Sequence, residues 1–160
     1  MSANRLILYS FRSLILAVPL LLLGMPLFGA ESPTVVELTQ LPCQFLESEG
    51  GMDHGYTSNR RADCETINTQ TGGQRVSAAK PMELKPGRYI FRVTNRSVPY
   101  ELGFWLRGEG LVGRAILPSV SGGGLARGKT QEYAIELKPG EYLYSCPLNT
   151  TPDYKLVVKG

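Results

Sequence analysis

The sequence predicts an all-β fold, a small Greek-key β-sandwich, on three observations. Short segments of alternating apolar and polar residues recur along the chain. Two of them follow the same Lys-Pro-Gly turn, at Lys85-Pro86-Gly87 and Lys138-Pro139-Gly140. No apolar stripe of helical period runs for more than a few turns.

The first thirty residues read as a targeting segment rather than as fold. Arg5 and Arg12 give a basic start, and Leu14 to Phe28 carries no charge. Gly29-Ala30 and polar Glu31-Ser32-Pro33 follow, the order of a secretory signal. The apolar run is shorter than the roughly 20 residues of a spanning helix, and Pro19, Gly24 and Pro26 interrupt it. Bulky Phe28 departs from the small-residue pattern before a cut at Ala30, so an uncleaved N-terminal membrane anchor is the alternative. The expectation is a signal peptide over 1–30 and one domain over 31–160, exported and periplasmic.

Charge excludes one partner class. Removing Arg5 and Arg12 from 17 basic residues leaves 15, against 14 acidic ones. A nearly neutral domain offers nucleic acid no electrostatic footprint.

The strands follow in order. Thr34 to Thr39 alternates and is rich in β-branched residues. Arg88 to Thr94 leaves the first Lys-Pro-Gly turn. In Tyr100 to Leu106, Tyr100, Leu102, Phe104 and Leu106 fall on one face and Glu101 and Trp105 on the other. Lys129 to Leu137 alternates again, and the second Lys-Pro-Gly leads into Glu141 to Cys146. Tyr154 to Val158 is the last strand. The echo of Glu83-Leu-Lys-Pro-Gly-Arg-Tyr-Ile90 in Glu136-Leu-Lys-Pro-Gly-Glu-Tyr-Leu143 indicates two equivalent turns, since a solenoid needs at least about three repeats. Residues 44–80 and 107–128 read as long irregular loops. Asp63 to Asn68 is expected to form at most a short helical turn.

The chemistry-bearing residues are few. Cys43, Cys64 and Cys146 are an odd number, so pairing in an oxidising compartment leaves one free. A Cys43–Cys64 bridge would close a loop of about 20 residues and stabilise by about 3 kcal/mol in the chain-entropy model. Cys43–Cys146 is the other bridge considered, and Cys146 as a small buried hydrophobe is the plainer reading of that residue. His54, the only histidine, lies in Met52-Asp53-His54-Gly55. It reads either as a solvated loop residue or, with Met52 and Asp53, as a loose copper ligand. Glu101 reads as an exposed strand residue or as a ligand. Asn95-Arg96-Ser97 and Asn149-Thr150-Thr151 match the glycosylation sequon. No Gly-x-Ser-x-Gly elbow or phosphate loop is present, and no enzymatic activity is expected.

Tyr142-Leu-Tyr-Ser-Cys-Pro-Leu-Asn149, a loop, and Tyr154 to Val158 resemble the C-terminus of the cupredoxins: strand, Cys, short loop, strand. Asn95 to Leu106 resembles the segment that delivers the first histidine ligand of that family. The resemblance spans 34–42 and 81–160. It implies a cupredoxin-like Greek-key sandwich and a copper site. A blue-copper centre needs two imidazoles and a thiolate, and one histidine cannot supply them. Tyr100 stands where the first would be. The chain also resembles the cupredoxin-like domains of periplasmic iron-uptake proteins, which implies a ligand set of Cys43, Glu101 and Cys146. The expectation is a metal-binding or redox-accessory protein, with copper first and iron as alternative, and with Cys146, Cys43, Glu101 and His54 as metal residues. Its partners would be the metal ion and another periplasmic or membrane protein. The competing class is a metal-free interaction module. There Cys43 pairs with Cys64, Tyr100 fills the ligand cavity, and the 44–80 and 107–128 loops bind the partner.

Overall fold

The structure, a computed structural model, describes residues 32–160. The segment 1–30 read as a signal lies outside them. Among the described residues no helix is long and apolar enough to cross a membrane.

Two sheets face each other. The first has the order β2-β1-β4-β7, from Gln44–Phe45, Thr34–Leu41, Gly87–Asn95 and Thr130–Leu137. The second has the order β3-β9-β8-β5-β6, from Met82–Leu84, Tyr154–Val158, Gly140–Ser145, Leu102–Gly108 and Val120–Leu125. The all-β sandwich is as the alternation predicts. β1 runs parallel to β4 with Gln40 opposite Asn95. β5 runs antiparallel to β8 with Trp105 opposite Ser145.

Period-two alternation builds the core between the sheets. Tyr89, Phe91 and Val93 point in from β4, and Leu102, Phe104 and Leu106 from β5. Tyr142 and Tyr144 come from β8, and Tyr154, Leu156 and Val158 from β9. Phe45 meets Phe104, Tyr144 and Tyr154 edge to face at 5.8–6.2 Å between ring centres, a geometry that aromatic quadrupoles favour. Trp105 lies on the opposite face of β5, as alternation requires. The two Lys-Pro-Gly turns are equivalent: Gly87 and Gly140 sit at φ +149° and +154°, where side chains are strained.

Two departures from the sequence reading fall in the loops. The segment 44–80 is not irregular: Arg61–Ala78 forms an 18-residue helix, α1. It went unread because its inward contacts are polar and covalent rather than an apolar stripe. Only Cys64, Gly72 and Arg75 are buried. Its start is fixed by Asp63, whose carboxylate accepts the backbone N–H groups of Asn59 and Arg60 at 2.8 and 3.2 Å. Those bonds, Asn59 first, hold the Asp63 carboxyl below its ordinary range. The second loop, 107–128, contains a short helix, α2 (Gly110–Ile116), and strand β6. α2 buries none of its residues.

Candidate functional site

The three cysteines converge at one end of the sandwich, each placed by a different element. The Pro42-Cys43 turn joins β1 to β2, α1 carries Cys64, and Cys146 follows the end of β8.

Cys146 is the free thiol and is fully buried. Its Sγ accepts the backbone N–H groups of Gly103 and Asn149, both at 3.3 Å. Its own N–H donates to Thr151 Oγ1 at 2.8 Å. Burial pushes the thiol pKa up. Hydrogen bonds from the Gly103, Asn149 and Leu148 backbone and from Gln40 only partly offset this. Gly103 has no room for a side chain, since a Cβ there would stand 2.4 Å from the Gly122 carbonyl oxygen.

Amides fill the space beside that sulfur. Asn149 is fully buried. Its Nδ2 donates to the Leu41 carbonyl at 2.8 Å and to Gln40 Oε1 at 3.4 Å, and its Oδ1 accepts the Cys43 N–H at 2.9 Å. Gln40 Nε2 donates to the Gly103 carbonyl at 2.8 Å. Every polar group in this set has a partner, as buried amides require. Asn95 is likewise buried, and its Nδ2 donates to the carbonyls of Val98, Tyr100 and Leu125. The side-chain amides of both sequon asparagines are therefore bonded inside the fold.

Cys43 and Cys64 form a disulfide, with sulfurs 2.09 Å apart. The pairing that the sequence left open resolves to this one. Cys43 sits at φ +66°, a left-handed conformation unusual for a residue with a side chain. Cys64 Sγ lies 3.4 Å from Asn149 Oδ1 and 3.7 Å from the Tyr100 hydroxyl. Tyr100, half-buried, is anchored by Ser58 Oγ at 2.7 Å, and burial pushes its phenol pKa up.

His54 belongs to a second cluster. Its Nε2 is 2.5 Å from Glu49 Oε2, and its ring stacks on Tyr56 with centres 5.3 Å apart. Glu49 also accepts from Arg75, whose Nη2 is 2.5 Å from Oε1 and whose Nε is 3.0 Å from Oε2. The Tyr154 hydroxyl donates to the same carboxylate. Burial by itself would raise the Glu49 pKa; the bonds from Arg75 and Tyr154 and the Arg75 charge outweigh it and hold the carboxyl low. The Tyr154 phenol is pushed up, first by burial. Arg75 Nη2 also reaches the Cys43 carbonyl at 3.1 Å, so this cluster locks α1 onto the cysteine end.

The four residues expected to bind metal are thus not assembled as a ligand set. Cys43 has its sulfur in a disulfide, His54 is bonded to Glu49, and Glu101 is exposed at the start of β5. Cys146 is in place but enclosed by N–H groups and amides. Among the described residues no cluster of three or more His, Cys, Asp or Glu side chains is arranged to hold a metal ion. These donors do not fit copper, which asks for imidazoles beside a thiolate or for several thiolates. The sequence reading missed Gln40, Asn149, Glu49 and Arg75. The side-chain partners that bury them are mostly distant in sequence, such as Gln40 and Asn149, 109 positions apart.

No family model matches the chain, and no curated protein matches it. Among solved structures it is similar to auracyanin B, a cupredoxin. The match has 14% identity and a TM-score of 0.50, and covers 81% of this chain and 92% of that one. Likeness at this identity is likeness of fold. The two facing sheets agree with it: the chain has the cupredoxin-like fold.

Proposed function

We propose that the chain is an exported cupredoxin-like module that works by binding another protein rather than by holding copper or by catalysis. One observation carries the metal-free part of this reading. The free thiol at the end of β8 is sealed by the Gly103 and Asn149 N–H groups and the Gln40–Asn149 amides, with the expected second thiol, Cys43, consumed in a disulfide. A buried network with every partner satisfied rigidifies a core, and opening it to admit a metal would break several of those bonds. The exported location rests on the sequence of residues 1–30 and on the disulfide, which persists in oxidising compartments.

The experiment is metal analysis of the mature protein after incubation with Cu(I) and with Cu(II), alongside alkylation of the intact fold. The expected result is less than one-tenth of a copper per chain and a Cys146 that is alkylated only after unfolding. A second reading, Cu(I) held by Cys146, is favoured by the two N–H groups aimed at Sγ, since such bonds support a thiolate. Stoichiometric copper lost in Cys146→Ala would establish it and overturn the first.

A further inference from the structure

At one end of the fold a single residue, Asn149, stands between the Cys43–Cys64 disulfide and the Cys146 thiol. Asn149 donates its backbone N–H to Cys146 Sγ at 3.3 Å, while its Oδ1 lies 3.4 Å from Cys64 Sγ. Backbone strain collects at the same place. Cys43 at φ +66° and Thr150 at φ +44° are the described non-glycine residues in the left-handed region. Such conformations are unfavourable for residues with a side chain and persist where the surroundings enforce them. Cys43 is held there by the disulfide and by Asn149 Oδ1 on its N–H.

We propose that Cys43, Cys64 and Cys146 form a thiol–disulfide exchange unit, in which the single S–S bond moves from Cys43–Cys64 to Cys64–Cys146. When the segment from Pro147 to Thr150 lifts, the otherwise buried Cys146 thiol meets solvent and gives it its proton. Its thiolate attacks Cys64 Sγ, and the Cys64–Cys146 bond forms as the Cys43–Cys64 bond breaks. The electron pair leaves on Cys43 Sγ, which takes up a proton. One disulfide and one thiol stand on each side, so no oxidant or reductant is consumed. Cys64 is the sulfur attacked because it is the one that Asn149 touches. Cys43 is the one that leaves because it is the other sulfur of the bond under attack. Loss of the bond also frees Cys43 from its left-handed conformation.

Asn149 and the burial of Cys146 set the rate. The segment from Pro147 to Thr150 must lift Asn149 aside before the sulfurs meet. Exchange releases the Cys43 thiol next to Pro42. That proline, with Leu41, Ser58 and Asn59, lines an open cavity. The inference rests on Cys146 being metal-free. A chelator in every sample keeps its failure distinct from a failure of the copper prediction.

The test is disulfide mapping of the folded full chain without added reductant. Samples are held at pH 7, 8 and 9, quenched in acid, blocked with maleimide in denaturant and digested. The expected result is a linked Cys64–Cys146 peptide with blocked Cys43. Its rate of appearance should rise towards tenfold per pH unit, as thiolate does below its pKa, and should not depend on protein concentration. Asn149→Ala is expected to speed it severalfold. Cys43→Ser incubated with oxidised glutathione, which takes up the two electrons and leaves as two glutathione thiols, should carry a Cys64–Cys146 bridge in most molecules, with an unchanged far-ultraviolet spectrum. The proposal is overturned if folded Cys43→Ser, after the same incubation with oxidised glutathione, forms no Cys64–Cys146 bridge. It is equally overturned if wild-type label stays on Cys146 alone at every pH, or if new linkages appear only between chains.

Discussion

Arg75, near the end of α1, holds Glu49 in a two-pronged pair, with Nη2 2.5 Å from Oε1 and Nε 3.0 Å from Oε2. The two side chains are only 7% and 5% exposed. α1 has no apolar stripe; this pair, the Cys43–Cys64 bridge and polar bonds such as that from Asn68 Nδ2 to the Cys43 carbonyl at 3.2 Å attach it to the sandwich. Removing one partner strands the other charge in the interior. Arg75→Ala is expected to lower unfolding free energy by about 3–5 kcal/mol. Urea denaturation checks it, and a loss below about 1 kcal/mol would mean that water already screens the pair.

The same carboxylate should set the acid limit of stability. Its folded pKa lies below the ordinary value of 4.5. The folded state therefore binds fewer protons, and stability rises with pH across that interval. The contribution is complete above pH 4.5 and is lost as pH falls from there through the folded value. Unfolding free energy measured from pH 2.5 to 6 should show this slope, and Glu49→Gln should flatten it. An unchanged slope in the variant would assign acid unfolding to other carboxylates.

At high pH the sign reverses. Burial raises the Cys146 thiol above 9.0 and the Tyr144 phenol from 10.0 to about 12. The unfolded chain loses these protons first, so stability falls from pH 9 upward and keeps falling until the folded groups ionise. Cys146→Ala should remove the first part of that decline, between pH 9 and 10, while leaving the tyrosine part. The readout is the melting temperature against pH.

Replacing both Cys43 and Cys64 by serine avoids any new bridge and isolates the covalent contribution. The loss expected is about 3 kcal/mol, from the restored freedom of the unfolded chain. Hydrogen exchange should show the α1 amides losing protection before those of β4 and β5. Equal loss over the whole fold would mean that α1 does not open separately.

Trp105 reports on the outer face of the second sheet. The Arg107 guanidinium stacks on it at 3.9 Å and pairs with Asp153 at 2.7 Å. Trp105 is the single tryptophan, so its emission is readable without ambiguity. Arg107→Ala should shift that emission and cost about 1–2 kcal/mol, the worth of a partly desolvated cation–π contact. Unchanged emission would show that the stack does not persist in solution.

The sandwich was legible in the sequence because its signals are local. Alternation in β4, β5 and β9 fixed which side chains face in, and the Lys-Pro-Gly turns marked two strand starts. The site was legible only in part. Cys146 was placed correctly at the strand end, but its surroundings come from Gln40 and Asn149, whose contact spans 109 positions. α1 was hidden because its buried residues are a cysteine, a glycine and an arginine. Helical periodicity detects apolar stripes, not a helix pinned by a disulfide and an ion pair. His54 was visible as the lone imidazole, yet its partner Glu49 could not be read from a loop without regular pattern.

The most direct test of the central claim is copper analysis of the mature, folded chain after Cu(I) and Cu(II) loading, with Cys146→Ala in parallel. The closed Cys146–Asn149–Gln40 network predicts no retained copper above the variant's background. One copper per chain in the wild type, absent from Cys146→Ala, would contradict it.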